Sequence, residues 1–161
     1  MTQKNLLQAG GDGTAVPAGY INEISSVGCT AVTASGVNSI SGSAIATFSN
    51  VSPGIYKLIG NIPMRPGTRP TAGTVGSYLR VSANTAGTLE QFDYQFLWGS
   101  AAANLDIGTY NATICSVFRL TATDTITVKV GINDYSGGST GTPTCDAGFS
   151  SLGKVTLVRI A

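Results

Sequence analysis

The sequence predicts an all-β domain of two antiparallel sheets packed face to face, with about eight short strands. Three observations carry this. Apolar residues recur at every second position in several stretches, the spacing of a strand with one buried face. Clusters of Gly, Pro, Asn, Asp, Ser and Thr punctuate those stretches, as turns require. The composition is 42% hydrophobic and only 11% charged, against roughly 25% charged in an ordinary soluble domain. A chain of 161 residues is long enough to bury one core without metals or disulfides. Its shortage of charge suggests that neighbouring subunits cover part of the surface.

Residues 1–13 are polar, glycine-bounded and without heptads. They read as an arm that lies on a partner subunit or larger assembly, with Lys4, Asn5, Leu6 and Leu7 as its contact residues. The domain then occupies residues 14–161. Gly11-Asp12-Gly13 is a turn, Pro17 and Gly19 punctuate, and Tyr20–Ile24 begins a first strand. Residues 27–38 form a weak strand and 43–48 a better one. Pro53-Gly54 supplies a type II turn, because proline presets the first φ and glycine tolerates the positive φ that follows. Out of it runs IYKLIGNI, with Tyr56, Leu58, Gly60 and Ile62 on one face.

Residues 63–76 hold three prolines and three glycines, and so read as a surface loop carrying Arg65 and Arg69. Strands follow at 74–82 and 89–98, joined by a polar turn around Gly87. The second of these alternates Phe92, Tyr94, Phe96 and Trp98 with Gln91, Asp93 and Gln95. Residues 99–104 read as a small-residue loop. The stretch 111–132 is the most regular: Ile114, Ser116, Phe118 and Leu120 share one face, as do Ile126, Val128, Val130 and Ile132. Thr121-Ala122-Thr123-Asp124 between them reads as the turn of a central antiparallel hairpin. A glycine, serine and threonine loop spans 133–144, and a last strand lies within 149–160. The expected core is Tyr56, Leu58, Ile114, Phe118, Leu120, Ile126, Val128 and Val130.

Candidate chemistry is sparse. With no histidine, Ser-His-Asp and Cys-His catalysis and histidine zinc sites are excluded. Cys29, Cys115 and Cys145 lack CxxC spacing and read as small apolar residues, one disulfide between two of them being the alternative. There is no phosphate-binding G-x-x-x-x-G-K-[ST] motif. Glycoside hydrolysis needs two carboxyls flanking a bond, and Glu90 and Asp93, three apart on a strand, point to opposite faces. Asp12, Asp134 and Asp146 suit turns, although Asp134 and Asp146 with loop carbonyls would also serve calcium. No cofactor is expected, and the chain is expected not to be an enzyme. Asn50 and Asn111 sit in N-x-[ST] sequons, which matter only in a secretory pathway. A net charge of +1 gives no electrostatic case for nucleic acid, and no apolar run reaches the roughly 18 residues of a membrane span. Nor does the start carry an apolar secretory signal. The Phe92–Trp98 row is either a buried inner face or a sugar-stacking platform. Arg65, Arg69, Tyr78 and Trp98 are the candidate receptor or subunit contacts.

GDGTAVPAGYINE, SPGIYKLIGNI, RLTATDTITVKVGI and the closing VRIA together resemble bacteriophage virion proteins, namely tail-fibre head domains and related decoration proteins. The Pro-Gly-Ile-Tyr element is also similar to its equivalent in C1q and tumour-necrosis-factor jelly rolls. The resemblance spans roughly residues 11–161. It implies a jelly roll assembling as a homotrimer on the phage particle, synthesised in the bacterial cytoplasm. Expected partners are other virion proteins (the major capsid protein, or fibre and tail proteins) and, for an adhesin, a host-surface glycan. Fibre heads normally follow a long shaft, whereas about a dozen residues precede this domain. The expected role is therefore a capsid decoration or cement protein, the alternative being a tail-fibre or head-fibre tip that binds a host receptor.

Overall fold

A computed structural model of the chain describes residues 23–100, 108–149 and 153–160. The proposed arm, residues 20–22 of the first strand and most of the 99–104 loop lie outside the described residues. Those described form strands and turns without a helix: β1 (Glu23–Gly28), β2 (Val32–Ser35), β3 (Ser39–Ile40), β4 (Ala46–Val51), β5 (Gly54–Pro66), β6 (Thr74–Ala83), β7 (Gly87–Gly99), β8 (Tyr110–Leu120), β9 (Asp124–Asp134), β10 (Thr144–Ala147) and β11 (Lys154–Arg159).

Every pairing is antiparallel, and the strands make two sheets. In the first, β1, β11, β5 and β8 lie side by side, and the far half of β5 pairs with β10, which carries β2 beyond it. In the second, β4, β9, β6 and β7 lie side by side, with the short β3 beyond β4 along the same edge of β9. Set β2, β3 and β10 aside: the first long strand then neighbours the last, and the second neighbours the seventh. That is a jelly roll, two sheets closed on one core.

Period-two burial builds that core. Tyr56, Leu58 and Ile62 of β5 and Ile114, Phe118 and Leu120 of β8 face inward from the first sheet. Val75, Leu79 and Val81 of β6 and Ile126, Val128, Val130 and Ile132 of β9 face them from the second. All eight residues expected in the core are buried.

The central hairpin is a correction. β8 and β9 are consecutive but belong to different sheets: β8 pairs with β5 from Tyr110 to Leu120, and β9 pairs with β6, β4 and β3. Residues 121–123 cross from one sheet to the other. Alternation fixes which face of a strand is buried but not which strand lies beside it. Here the two apolar rows meet across the core rather than sharing one face. Asp124 holds the crossing in place. Its carboxylate accepts the N–H groups of Thr85 (3.0 Å), Ala86 (3.3 Å) and Thr125 (2.7 Å), which ties the start of β9 to the β6–β7 turn.

Burial pushes the Asp124 carboxyl up, but the N–H groups of Thr125, Thr85, Ala86 and Asn84 together outweigh it and hold the group below the ordinary aspartate range. A carboxyl depressed in the folded state stabilises the fold above its unfolded value of about 3.9, and that stability is lost as pH falls through the folded value. Urea midpoints measured from pH 7 to pH 2.5 are therefore expected to fall less steeply on the acid side for Asp124→Asn than for the wild type. Parallel acid limbs would rule out this role.

There are two smaller differences. Pro63 and Pro66 lie within β5 rather than in a loop, and the Pro63 carbonyl accepts the Gly148 N–H at 2.8 Å. The loop proper is Gly67–Gly73. β10 begins on the last residue of the expected 133–144 loop, runs through residues to which no element is assigned from sequence, and at four residues is too short for a period to register.

Candidate functional site

The four candidate contact residues are scattered. Arg65 sits on the outer face of the first sheet, where its Nε meets Asp146 Oδ2 at 3.1 Å and its guanidinium lies 4.8 Å from the Phe149 ring centre. Thr33 donates to the same carboxylate at 2.6 Å. Arg69, at the end of the sandwich, donates to the Gly99 carbonyl at 3.1 Å.

Trp98 belongs to that same end but is fully buried, its Nε1 donating to the Thr68 carbonyl at 3.2 Å. It does not reach a rim. Phe92 is half-buried and packs against the core, while the side chains of Tyr94 and Phe96 lie outside the described residues. The interior reading of the row holds for the two members described.

Tyr78 lies on the outer face of the second sheet yet is only 4% exposed. It rests over Gly131 on the neighbouring strand, where any Cβ would overlap its ring. Its hydroxyl donates to the Ser39 carbonyl at 3.3 Å, and Arg80 covers the ring at 5.2 Å. Tyrosine laid over a cross-strand glycine fills the gap that glycine leaves in a sheet.

The carboxylates and thiols are largely occupied by structure. Asp134 accepts the N–H groups of Ser136, Gly137 and Ser139, closing the loop after β9. Asp146 is held by Arg65 and Thr33, so the two carboxylates suggested for calcium bind separate sets of partners. Among the described residues no group of three or more metal-ligating side chains occurs. Glu90 opposes Val81 and Asp93 opposes Tyr78, which places them on opposite faces of β7. Cys29, Cys115 and Cys145 are free thiols. Burial, with the Asp146 carboxylate next to it, pushes the Cys145 thiol up to about 12, leaving it protonated and unreactive at neutral pH.

What remains is an exposed surface on the first sheet. The outer face of β5 and β8 carries Ile59 and Val117, 40% and 59% exposed, with the exposed Cys115 directly opposite Ile59. Lys57, Arg119 and Lys154 frame these residues. Sequence reading missed this face because each strand contributes only one or two apolar residues to it. The cross-strand register brings them together, and register is not written in a single strand's pattern.

A jelly-roll sandwich with no assembled catalytic group among its described residues is the class of molecule that this geometry defines. No protein-family model matches the sequence, and no curated protein matches it. Solved structures resemble its fold. The structure of infectious bursal disease virus Gt strain matches over 94% of this chain with a TM-score of 0.54 at 10% identity. The VP2 subviral particle of the same virus matches over 92% with a TM-score of 0.51, also at 10% identity. The chain spans 37% and 36% of those two proteins.

Proposed function

We propose that this chain is a non-enzymatic structural protein of a virus particle, a homotrimeric decoration or cement protein on the capsid of a tailed bacteriophage. The observation that carries the reading is the jelly roll itself, which resembles part of a virus-particle protein over nearly all of its length. Supporting it, Asp124 and Asp134 hold turns, Asp146 pairs with Arg65, and the Cys145 thiol is buried. Receptor binding at a fibre tip is the competing role. It gains no support from Tyr78 and Trp98, which are buried within the subunit.

In this reading residues 1–13 form the docking arm, with Lys4, Asn5, Leu6 and Leu7 contacting the capsid protein, and residues 14–161 form the trimer head. Copy number in purified particles tests it. Hundreds of copies are expected, with particles losing heat or salt resistance when the protein is stripped. A few dozen copies, together with isolated trimer that blocks adsorption to host cells, would instead establish the adhesin. Deleting residues 1–10 is expected to leave the trimer folded but unable to rebind stripped particles. Full rebinding by the truncated chain would refute the arm.

A further inference from the structure

We propose that the outer face of the β1–β11–β5–β8 sheet receives a second copy of this chain, edge-on, through that copy's β7. This deepens the trimer reading, on which it rests, by assigning the two surfaces that meet.

Most ionised side chains among those described already have a partner within the subunit. Asp124 and Asp134 hold turns, Arg65 and Asp146 pair with each other, and Arg80 donates to Gln91. Lys129, Arg69 and Arg159 donate to main-chain carbonyls. Three cations remain, Lys57, Arg119 and Lys154, and all three lie on the outer face of the first sheet. The described carboxylate on that face, Asp146, is neutralised by Arg65. Among the described side chains two carboxylates remain, Glu90 and Asp93, of which Asp93 accepts only the Gln91 amide. Both are exposed, and both are on β7.

The apolar part of the surface coincides with the cationic part. Val117 stands opposite Lys57, and Ile59 stands between Cys115 on β8 and Thr156 on β11. An apolar centre within a charged rim is the composition of a protein–protein contact. A twofold contact of this face with itself would bring cations against cations, which costs several kcal/mol at an interface. The partner surface must therefore bring carboxylates, and this chain offers its unspent ones along one strand. Among the described residues β7 pairs only with β6, and its other edge has no described strand beside it. An edge-on approach presents side chains from both faces of the strand, which reconciles the opposite directions of Glu90 and Asp93. Face and edge are different surfaces, so the contact is heterologous. Repeated head to tail, it closes a ring when the rotation between copies is threefold, as the trimer reading requires.

The test is a charge swap in the full chain, read by sedimentation equilibrium. Lys57→Glu with Lys154→Glu, and separately Glu90→Lys with Asp93→Lys, are each expected to raise the dissociation constant by at least about tenfold. Combining all four substitutions is expected to restore association to within a few-fold of wild type. Asp93→Cys, treated with a bismaleimide, is expected to cross-link to the exposed Cys115 and give covalent dimers and trimers on a denaturing gel. A twofold contact would stop at dimers. A wild-type trimer that is indifferent to the two charge reversals would overturn this assignment and leave the trimer standing. A wild-type monomer at tens of micromolar would overturn both. Circular dichroism on each variant separates lost association from lost folding.

Discussion

Trp98→Ala is expected to lower folding stability by about 3–5 kcal/mol, the range for emptying a large aromatic site. Trp98 is fully buried where β7 ends, opposite Val75 of β6, and its indole N–H is bound to the Thr68 carbonyl. Truncation leaves a cavity between the sheets and takes a donor from a carbonyl of the Gly67–Gly73 loop. Urea denaturation followed by circular dichroism measures the loss, since the variant lacks the chain's only tryptophan. Trp98→Phe keeps most of the apolar volume but not the hydrogen bond, and is expected to cost about 1–2 kcal/mol. A loss below about 1 kcal/mol for Trp98→Ala would contradict its place in the core.

Gly148→Ala is expected to cost about 3 kcal/mol or more, from two separate penalties. Gly148 follows β10 at φ +69°, where a side chain is strained whatever the space around it. In addition, a Cβ there would stand 2.5 Å from the Thr30 carbonyl oxygen and 3.1 Å from the Ile45 Cγ2. The first obstacle is backbone, pinned by the Thr30 N–H bond to the Ile45 carbonyl at 2.8 Å, so it does not swing aside. Gly87 provides the control. Its φ is +78°, but nothing lies within 4 Å of a Cβ there, so Gly87→Ala carries the conformational penalty alone, about 1–2 kcal/mol. Equal losses in the two variants would mean that the close approach at Thr30 contributes nothing.

How much of this molecule is legible in its sequence depends on the range of the information required. Burial along one strand is local, and it reads correctly: the rows Ile126–Ile132, Ile114–Leu120 and Tyr56–Ile62 all face inward. Pairing between strands is not local. The stretch 111–132 looks like a hairpin because a hairpin and a cross-sheet turn produce the same alternation. Asp124 decides between them through residues 84–86, some forty positions earlier. The candidate contact residues are scattered for the same reason. Arg65 and Tyr78 lie close in the chain, yet the fold puts them on different sheets. Arg69 and Trp98, thirty residues apart, come together. The exposed row of Ile59, Cys115 and Val117 requires the β5–β8 register before it exists at all.

The position of β11 between β1 and β5 has a consequence for biosynthesis. Strand β1 precedes β11, its neighbour among the described residues, by more than a hundred positions, so a growing chain carries β1 without that neighbour until residues 154–159 emerge. Sheets closed by such distant segments pay a long loop-closure cost before any contact repays it, and they fold slowly. While the chain waits, its apolar strands are open to pairing with other nascent copies. Insertion of β11 is the event that ends this exposure, and amides of β1 should become protected from hydrogen exchange only when it has occurred.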